Sequence, residues 1–290
     1  MKSSVDSCLE LREYSAAKIT EIFQPATTKS ESAYADEIKT KLYSIDGVLP
    51  FGWYAPPPSG IGVLFGEPTD DYQRIRFDTF RNEQYWPSSN YDLAPESVAI
   101  LYASPIWANS GIIGDWGVTL YRGRNSKIQK HIRTCLETVE QLAEFSQAGM
   151  KYGDISRYAD RLLSDEGLST DRTLLINKPD AIGTNCGHTI PWTSEKPTAT
   201  EAAILESRDQ AAICKLISSK RIYVNADETT KIPETGAFTA ELRLESLAEP
   251  SFPNTFFHLI VTFTDGNKTI ASNFNEFFKA TGMNYIHSKY

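Results

Sequence analysis

The apolar stretches of this chain are short, and their length is the first constraint on its fold. The longest near-continuous run, residues 256–263, is of strand length, far short of the roughly 20 apolar residues that a membrane-spanning helix needs. The chain must therefore build its core from short strands and amphipathic helices. At 290 residues it is long enough to bury one without disulfides or a structural metal, because the buried fraction of the surface rises with chain length.

Helical spacing dominates the beginning. Leu9, Leu11, Ala16, Ile19, Ile22 and Phe23 recur among charges and predict an amphipathic helix over residues 4–23, ended by a turn at Pro25. Thr28-Lys-Ser-Glu31 has the form of a capping box and opens a second helix over 31–45. Residues 46–95 turn rich in Pro, Gly, Ser and aromatics, with strands expected at 61–65 and 73–80. The apolar run at 98–102 and the segment 111–122 form an expected hairpin.

Ile128, Ile132, Leu136, Val139 and Ala143 define the clearest helix, over 126–146, with Gly149 as its stop. Another helix over 155–163 closes at Gly167, and a strand is expected at 174–176. A capping box at Thr198-Ala-Thr-Glu201 starts a helix over 200–218. Strands then follow at 221–224, 237–244 and 256–263, with a turn at Asp265-Gly266 and a helix at 274–280. Helices first, then strands mixed with helices, give an α+β chain.

Charge and cysteine usage narrow the function. The net charge of −8 supplies no basic field for phosphate backbones or anionic lipid, so nucleic acid and membrane surfaces are not expected partners. Cys8, Cys135, Cys186 and Cys214 are far apart and contain no C-x-x-C, which indicates neither a disulfide framework nor a structural zinc site. The first residues lack the apolar stretch of a signal peptide, and the expected location is the cytoplasm.

Five segments, taken in order, resemble the pita-bread superfamily of methionine aminopeptidases, prolidases and creatinases. The run from Gly111 through Asp115 to Gly123 resembles the family strand that carries an Asp and leaves through a glycine. Gly187-His-Thr-Ile190 is similar to its G-H-G-I segment, and Ser194-Glu-Lys-Pro197 to the H-E-x-P that follows. Phe238-Thr-Ala-Glu241 resembles its F-T-I-E strand, and Phe257-His-Leu-Ile-Val261, running to Asp265-Gly266, its last strand and turn. The resemblance implies an α+β pita-bread (creatinase/aminopeptidase-like) fold, a curved antiparallel sheet covered by helices. It implies one domain over 1–290, with 1–95 as opening helices and strands and 96–290 as the half that carries the site.

Peptidases of that family hold two divalent metals on Asp, Asp, His, Glu and Glu. Carried over singly, the second Asp falls on Asp115, the His on His188 and the first Glu on Glu241. The first Asp falls near Ser104 and the last Glu on Phe257, so two of the five are lost. Those losses abolish one metal position and spare the other. The implied site is mononuclear, one divalent transition metal (Fe, Mn, Co or Zn) on Asp115, His188 and Glu241, with His188 and Glu241 also the catalytic candidates. The family's substrate-side histidines are lost too, near Tyr85-Trp86 and at Ser194.

His258 stands beside the lost Glu position. Alternation along a strand turns it away from the face of Phe257, and only a one-residue bulge would bring it into the site. Cys186 lies two residues from His188, but a small buried structural cysteine is the commoner fate. Of the aromatics Trp53, Tyr54, Tyr85, Trp86, Tyr91 and Trp107, most are expected to pack and a subset to line a pocket.

The expected function is a metal-dependent enzyme acting on a small amino-acid-like, amide or short peptide-like substrate, with hydrolysis as the family default. A homodimer is compatible with it. The alternatives are a metal-free acid–base catalyst, an oxidative enzyme of non-haem iron type on the same half-site, and an inactive peptide- or protein-binding module.

Overall fold

The computed structural model describes residues 2–23, 28–77, 79–170 and 186–290. Two helices open the chain, α1 (Ser4–Ile22) and α2 (Glu31–Leu42). Strands β1 (Ile61–Gly66), β2 (Val98–Ala103) and β3 (Trp116–Tyr121) follow, then α3 (Ser126–Phe145), α4 (Tyr152–Glu166) and the short β4 (Leu168–Ser169). After α5 (Ala199–Glu206) and α6 (Gln210–Lys220) come β5 (Gly236–Ser246), β6 (Thr255–Thr264), β7 (Asn267–Ala271) and α7 (Asn275–Thr281). The strands form one curved, antiparallel, seven-stranded sheet in the order β1-β2-β3-β6-β5-β4, with β7 paired to β6. Among the described residues no helix is long and apolar enough to cross a membrane.

Both faces of the sheet are covered, which is why its central strands read as continuous apolar runs. One face of β5 and β6 carries Phe238, Ala240, Leu242, Leu244, Phe257, Leu259, Val261 and Phe263, packed with Ile132, Leu136 and Val139 of α3. The other face carries Ala237 and Ile260, packed with Ile190 and Trp192. Glu241 and His258 belong to this second face.

The central crossing depends on a glycine. β3 meets β6 at Gly117↔His258, and a Cβ on Gly117 would lie 2.3 Å from the Phe256 ring. Thr119 secures the crossing, its hydroxyl donating to Phe256 O at 3.0 Å and accepting from Phe256 N at 2.7 Å.

Several expected elements are corrected. The strand expected over 73–80 is not found among the described residues of that stretch, where Gln73–Ile75 is a single 3-10 turn. Helix α2 is capped by Ser30 rather than Thr28. Its Glu31 does not reach back to the cap but takes the N–H of Phe65 at 2.6 Å and the guanidinium of Arg74 at 2.7 Å. The expected strand 111–122 shortens to Trp116–Tyr121, because Gly111 turns with φ +72° and the Asp115 carbonyl is taken by an arginine. Helix α3 ends at Phe145 with Ser146 as its C-cap, so Gly149 is not its stop.

The expected helix 200–218 is two helices. Its capping box forms at Thr198, but Arg208 takes φ 59° and Asp209 caps α6 afresh. Residues 221–224 contribute only the bridge Tyr223↔His188. The turn at Pro25 and the strand at 174–176 lie outside the described residues. Strands β4 and β7 were not expected.

Candidate active site

Four elements bring the site together. Asp115 stands immediately before β3, Glu241 is mid-β5 and His258 mid-β6, while His188 comes from the segment 186–190. That segment lies between β5 and residues 222–224. Glu241 N donates to Cys186 O at 2.9 Å and Thr239 N to His188 O at 2.8 Å. On its other edge, Cys186 N donates to Val224 O at 2.9 Å and Thr189 N to Ile222 O at 2.9 Å. Gly187 makes this possible at φ +137°, where a Cβ would lie 1.8 Å from Thr239 O.

The expectation for His258 is overturned, without a bulge. The ladder pairs Glu241 with His258 and Leu242 with Phe257, and directly opposed residues share a face. Phe257 therefore points into the apolar layer against Phe274, and His258 takes the place expected for the lost Glu. A one-residue offset in placing the motif inverts every side chain of a strand.

The resulting cluster is tight. His188 Nε2 lies 3.9 Å from Asp115 Oδ2 and 3.7 Å from Glu241 Oε1. His258 Nε2 lies 4.0 Å from Asp115 Oδ2 and 3.6 Å from Glu241 Oε2. Asp115 and His258 are fully buried, and the Glu241 side chain is 21% exposed.

The surroundings determine the protonation states. Asp115 Oδ1 accepts from Trp53 Nε1 at 2.7 Å and Oδ2 from Tyr102 Oη at 3.1 Å. Even so, burial, aided by the neighbouring Glu241, pushes the Asp115 carboxyl up to about 7. Burial pushes Glu241 up to about 7 as well, opposed by Arg221. Burial, with Arg221 beside one and Arg12 beside the other, holds His188 and His258 well below the usual histidine range. Burial thus disfavours the cationic form of each ring.

Thr239 ties the cluster to the backbone, accepting from His188 N at 2.9 Å and donating to Glu241 Oε1 at 3.4 Å. His188 Nδ1 lies 3.0 Å from Thr189 O. A carbonyl only accepts, so Nδ1 carries the proton and Nε2 turns its lone pair toward the two carboxyls.

The donor chemistry suits one metal ion, since Asp115 Oδ2, Glu241 Oε1 and His188 Nε2 are all electron-pair donors. The back-bond of His188 to a carbonyl is the outer-shell contact that metal-ligating histidines make. As positioned, no group of three or more His, Cys, Asp or Glu side chains among the described residues could hold a metal ion. Tetrahedral bonds of about 2.1 Å place ligand atoms about 3.4 Å apart, so His188 Nε2 must close by a few tenths of an ångström on each carboxyl oxygen to share an ion with it. The first-Asp position is spent elsewhere, Ser104 Oγ donating to Gly60 O at 2.9 Å and accepting from Tyr54 N at 3.2 Å.

Other side chains at the site have no counterpart in the sequence reading. Arg12 of α1 reaches Asp115 and His258, and Tyr102 of β2 reaches Asp115. Arg221 stacks 4.1 Å over Trp53 and donates to Tyr223 Oη at 2.9 Å. Its Nε is buried with no partner. Arg12 had a signal in the sequence, because it is a charge on the same helix face as Cys8, Leu11, Ala16 and Ile19, all buried.

Trp53 and Tyr54 border the site, whereas Tyr85 packs with Phe77 and Trp107 donates to Ser7 O. Cys186 is buried, which pushes its thiol far up, and Ser156 hydrogen-bonds it, as suits a structural cysteine.

No protein-family model matches the chain, and no curated protein matches it in sequence. Solved structures do. A methionine aminopeptidase from Thermotoga maritima superposes with TM-score 0.59 at 11% identity, over 93% of this chain and 97% of that one. A prolidase from Pyrococcus horikoshii OT3 gives 0.59 at 12% identity, over 92% of this chain but 60% of that one. An X-Pro aminopeptidase from Thermotoga maritima MSB8 gives 0.56 at 10% identity, over 92% and 59%. The chain thus spans about three fifths of the prolidase and X-Pro aminopeptidase and nearly all of the methionine aminopeptidase. At such identities the likeness is one of architecture, and it agrees with the curved antiparallel sheet and its helices: this chain has the pita-bread fold.

Proposed function

We propose that the chain is a metal-dependent enzyme of pita-bread type, holding one divalent transition metal on Asp115, His188 and Glu241. Its substrate in this reading is a small amide or amino-acid-like molecule, and its default reaction is hydrolysis. One observation carries the reading. His188 Nε2 lies 3.7 Å from a Glu241 oxygen and 3.9 Å from an Asp115 oxygen in a buried site, and a lone pair set against two carboxyls is costly unless a cation or a proton lies among them. A divalent ion there would supply a Lewis acid. The mixed oxygen and nitrogen set accepts Fe, Mn, Co or Zn without selecting one.

The chain's own groups divide the remaining work. Trp53 and Tyr102 orient Asp115, Thr239 orients Glu241, and the Thr189 carbonyl orients His188. Arg221, nine-tenths buried with its Nε unpartnered, supports a substrate with an anionic end. The solved neighbours include a prolidase and aminopeptidases, which favours peptide-like substrates.

The test is elemental analysis of the purified protein beside His188→Ala and Glu241→Ala. About one transition metal per chain, lost in both variants, is the expected result. Absence of metal from the wild type, even after anaerobic loading with iron, manganese, cobalt and zinc, refutes it. A second reading then stands on the carboxyls at about 7, in which a proton takes the ion's place and Asp115, Glu241 and His188 act as an acid–base group.

A further inference from the structure

We infer that Arg12 fixes His258 as a hydrogen-bond donor, its Nε2–H aimed between Asp115 and Glu241 at a substrate oxygen, and that His258 is not a fourth metal ligand. The substrate role rests on the function proposed above; the tautomer does not.

The guanidinium of Arg12 is fully buried and has five N–H donors and no acceptor. Its contacts number the same. Nε donates to Asn273 Oδ1 at 3.2 Å, and Nη1 to Asp115 O at 2.5 Å. Nη2 donates to His258 O at 2.5 Å and to Ser272 O at 2.7 Å. The remaining contact is Nη1 to His258 Nδ1 at 3.3 Å.

That last contact determines the tautomer. A group that can only donate requires a lone pair opposite, so Nδ1 of His258 accepts. A neutral imidazole with a lone pair on Nδ1 carries its proton on Nε2. His258 Nε2 is thus an N–H, and it has no hydrogen-bond partner, its nearest acceptors being Glu241 Oε2 at 3.6 Å and Asp115 Oδ2 at 4.0 Å. Both are too far for a hydrogen bond and well placed to flank an oxygen that enters between them.

The two histidines are therefore opposites. His188 is back-bonded by a carbonyl and offers a lone pair, while His258 is back-bonded by a guanidinium and offers a proton. An N–H cannot ligate an ion through the same nitrogen, but it can stabilise an oxygen that gains charge in a reaction. Arg12 is a positioning residue, acting from α1 through the far nitrogen of the ring.

The test is a long-range ¹H–¹⁵N spectrum of the histidine rings, with His131, His188, His258 and His287 assigned by single substitution. At neutral pH, His258 is expected with Nε2 protonated and Nδ1 bare, and His188 the reverse. A proton on Nδ1 of His258 overturns the inference. In Arg12→Lys, folded as judged by circular dichroism, the single tautomer should give way to a measurable mixture, and an unchanged His258 would remove Arg12 from its role.

Zinc titrated into the wild type should shift the Nε2 signal of His188 and leave the proton on His258. Loss of that proton on zinc binding makes His258 a ligand and refutes the inference. Failure of any ion to bind defeats the metal reading alone, since the tautomer is read without metal. His258→Gln, which retains a side-chain N–H, should bind zinc with the wild-type stoichiometry; loss of zinc from it would again make His258 a ligand.

Discussion

Histidine placement shows how single residues govern this chain. His131 on α3 is buried, its Nε2 3.0 Å from Pro253 O, and burial lowers its pKa to about 4, only partly offset by that carbonyl. The folded value lies below the ordinary 6.5, so between those pH values the unfolded chain binds the extra proton. Stability should therefore fall as pH drops from about 6.5 to about 4, by up to about 3 kcal/mol from this group. In His131→Gln, which preserves a donor to Pro253 O, urea midpoints measured across that range should decline less than in the wild type. An identical decline would show that His131 does not contribute. Of the site residues, Asp115, His188 and Glu241 were legible because each sits in an ordered motif. His258 was not legible, since a motif fixes residue order but not which face of a strand meets its neighbour.

At the scale of elements, local signals succeeded where a side chain acts on its own backbone. The Thr198 capping box and the Gly167 stop both formed as expected. They failed where a distant partner intervened, as with Glu31, captured by Phe65 and Arg74. The break between α5 and α6 puts Arg208 in the left-handed region at φ 59°, which costs a non-glycine residue about 1 kcal/mol. Arg208→Gly should raise stability by about that amount in thermal melts, and Asp209→Ala, removing the bond to Ala212 N at 2.9 Å, should lower it by about 1 kcal/mol. A destabilised Arg208→Gly would mean that the arginine makes a contact that matters more than its backbone strain. Gly187→Ala is a harsher case, since its Cβ would lie 1.8 Å from Thr239 O. A loss of about 3 kcal/mol or more in chemical denaturation is expected, together with displacement of His188; a variant as stable as wild type would show that segment 186–190 is free to move off β5.

Across the whole molecule, one sheet links the first strand to the last, and the main core draws on residues from Ala16 to Ile286. Helix α1 packs against α7 and against β3, β5 and β6, so the beginning of the chain is built into its end. We expect a single cooperative unfolding transition, with tryptophan fluorescence and far-ultraviolet circular dichroism coinciding. Two separated transitions would show that residues 1–95 form an independent unit. The sequence by itself determined the α+β class, most helices and the strands that meet at the candidate site, and it singled out Asp115, His188 and Glu241, which the fold brings together, because periodicity, caps and motif order are local properties of the chain. Only the tertiary structure decided that His258 faces Glu241, that Arg12 and Arg221 attend the site, and which nitrogen of each histidine bears the proton. Those follow from strand register and from contacts between residues as far apart as Arg12 and His258, and no local pattern encodes a distance between segments that meet only when the sheet closes.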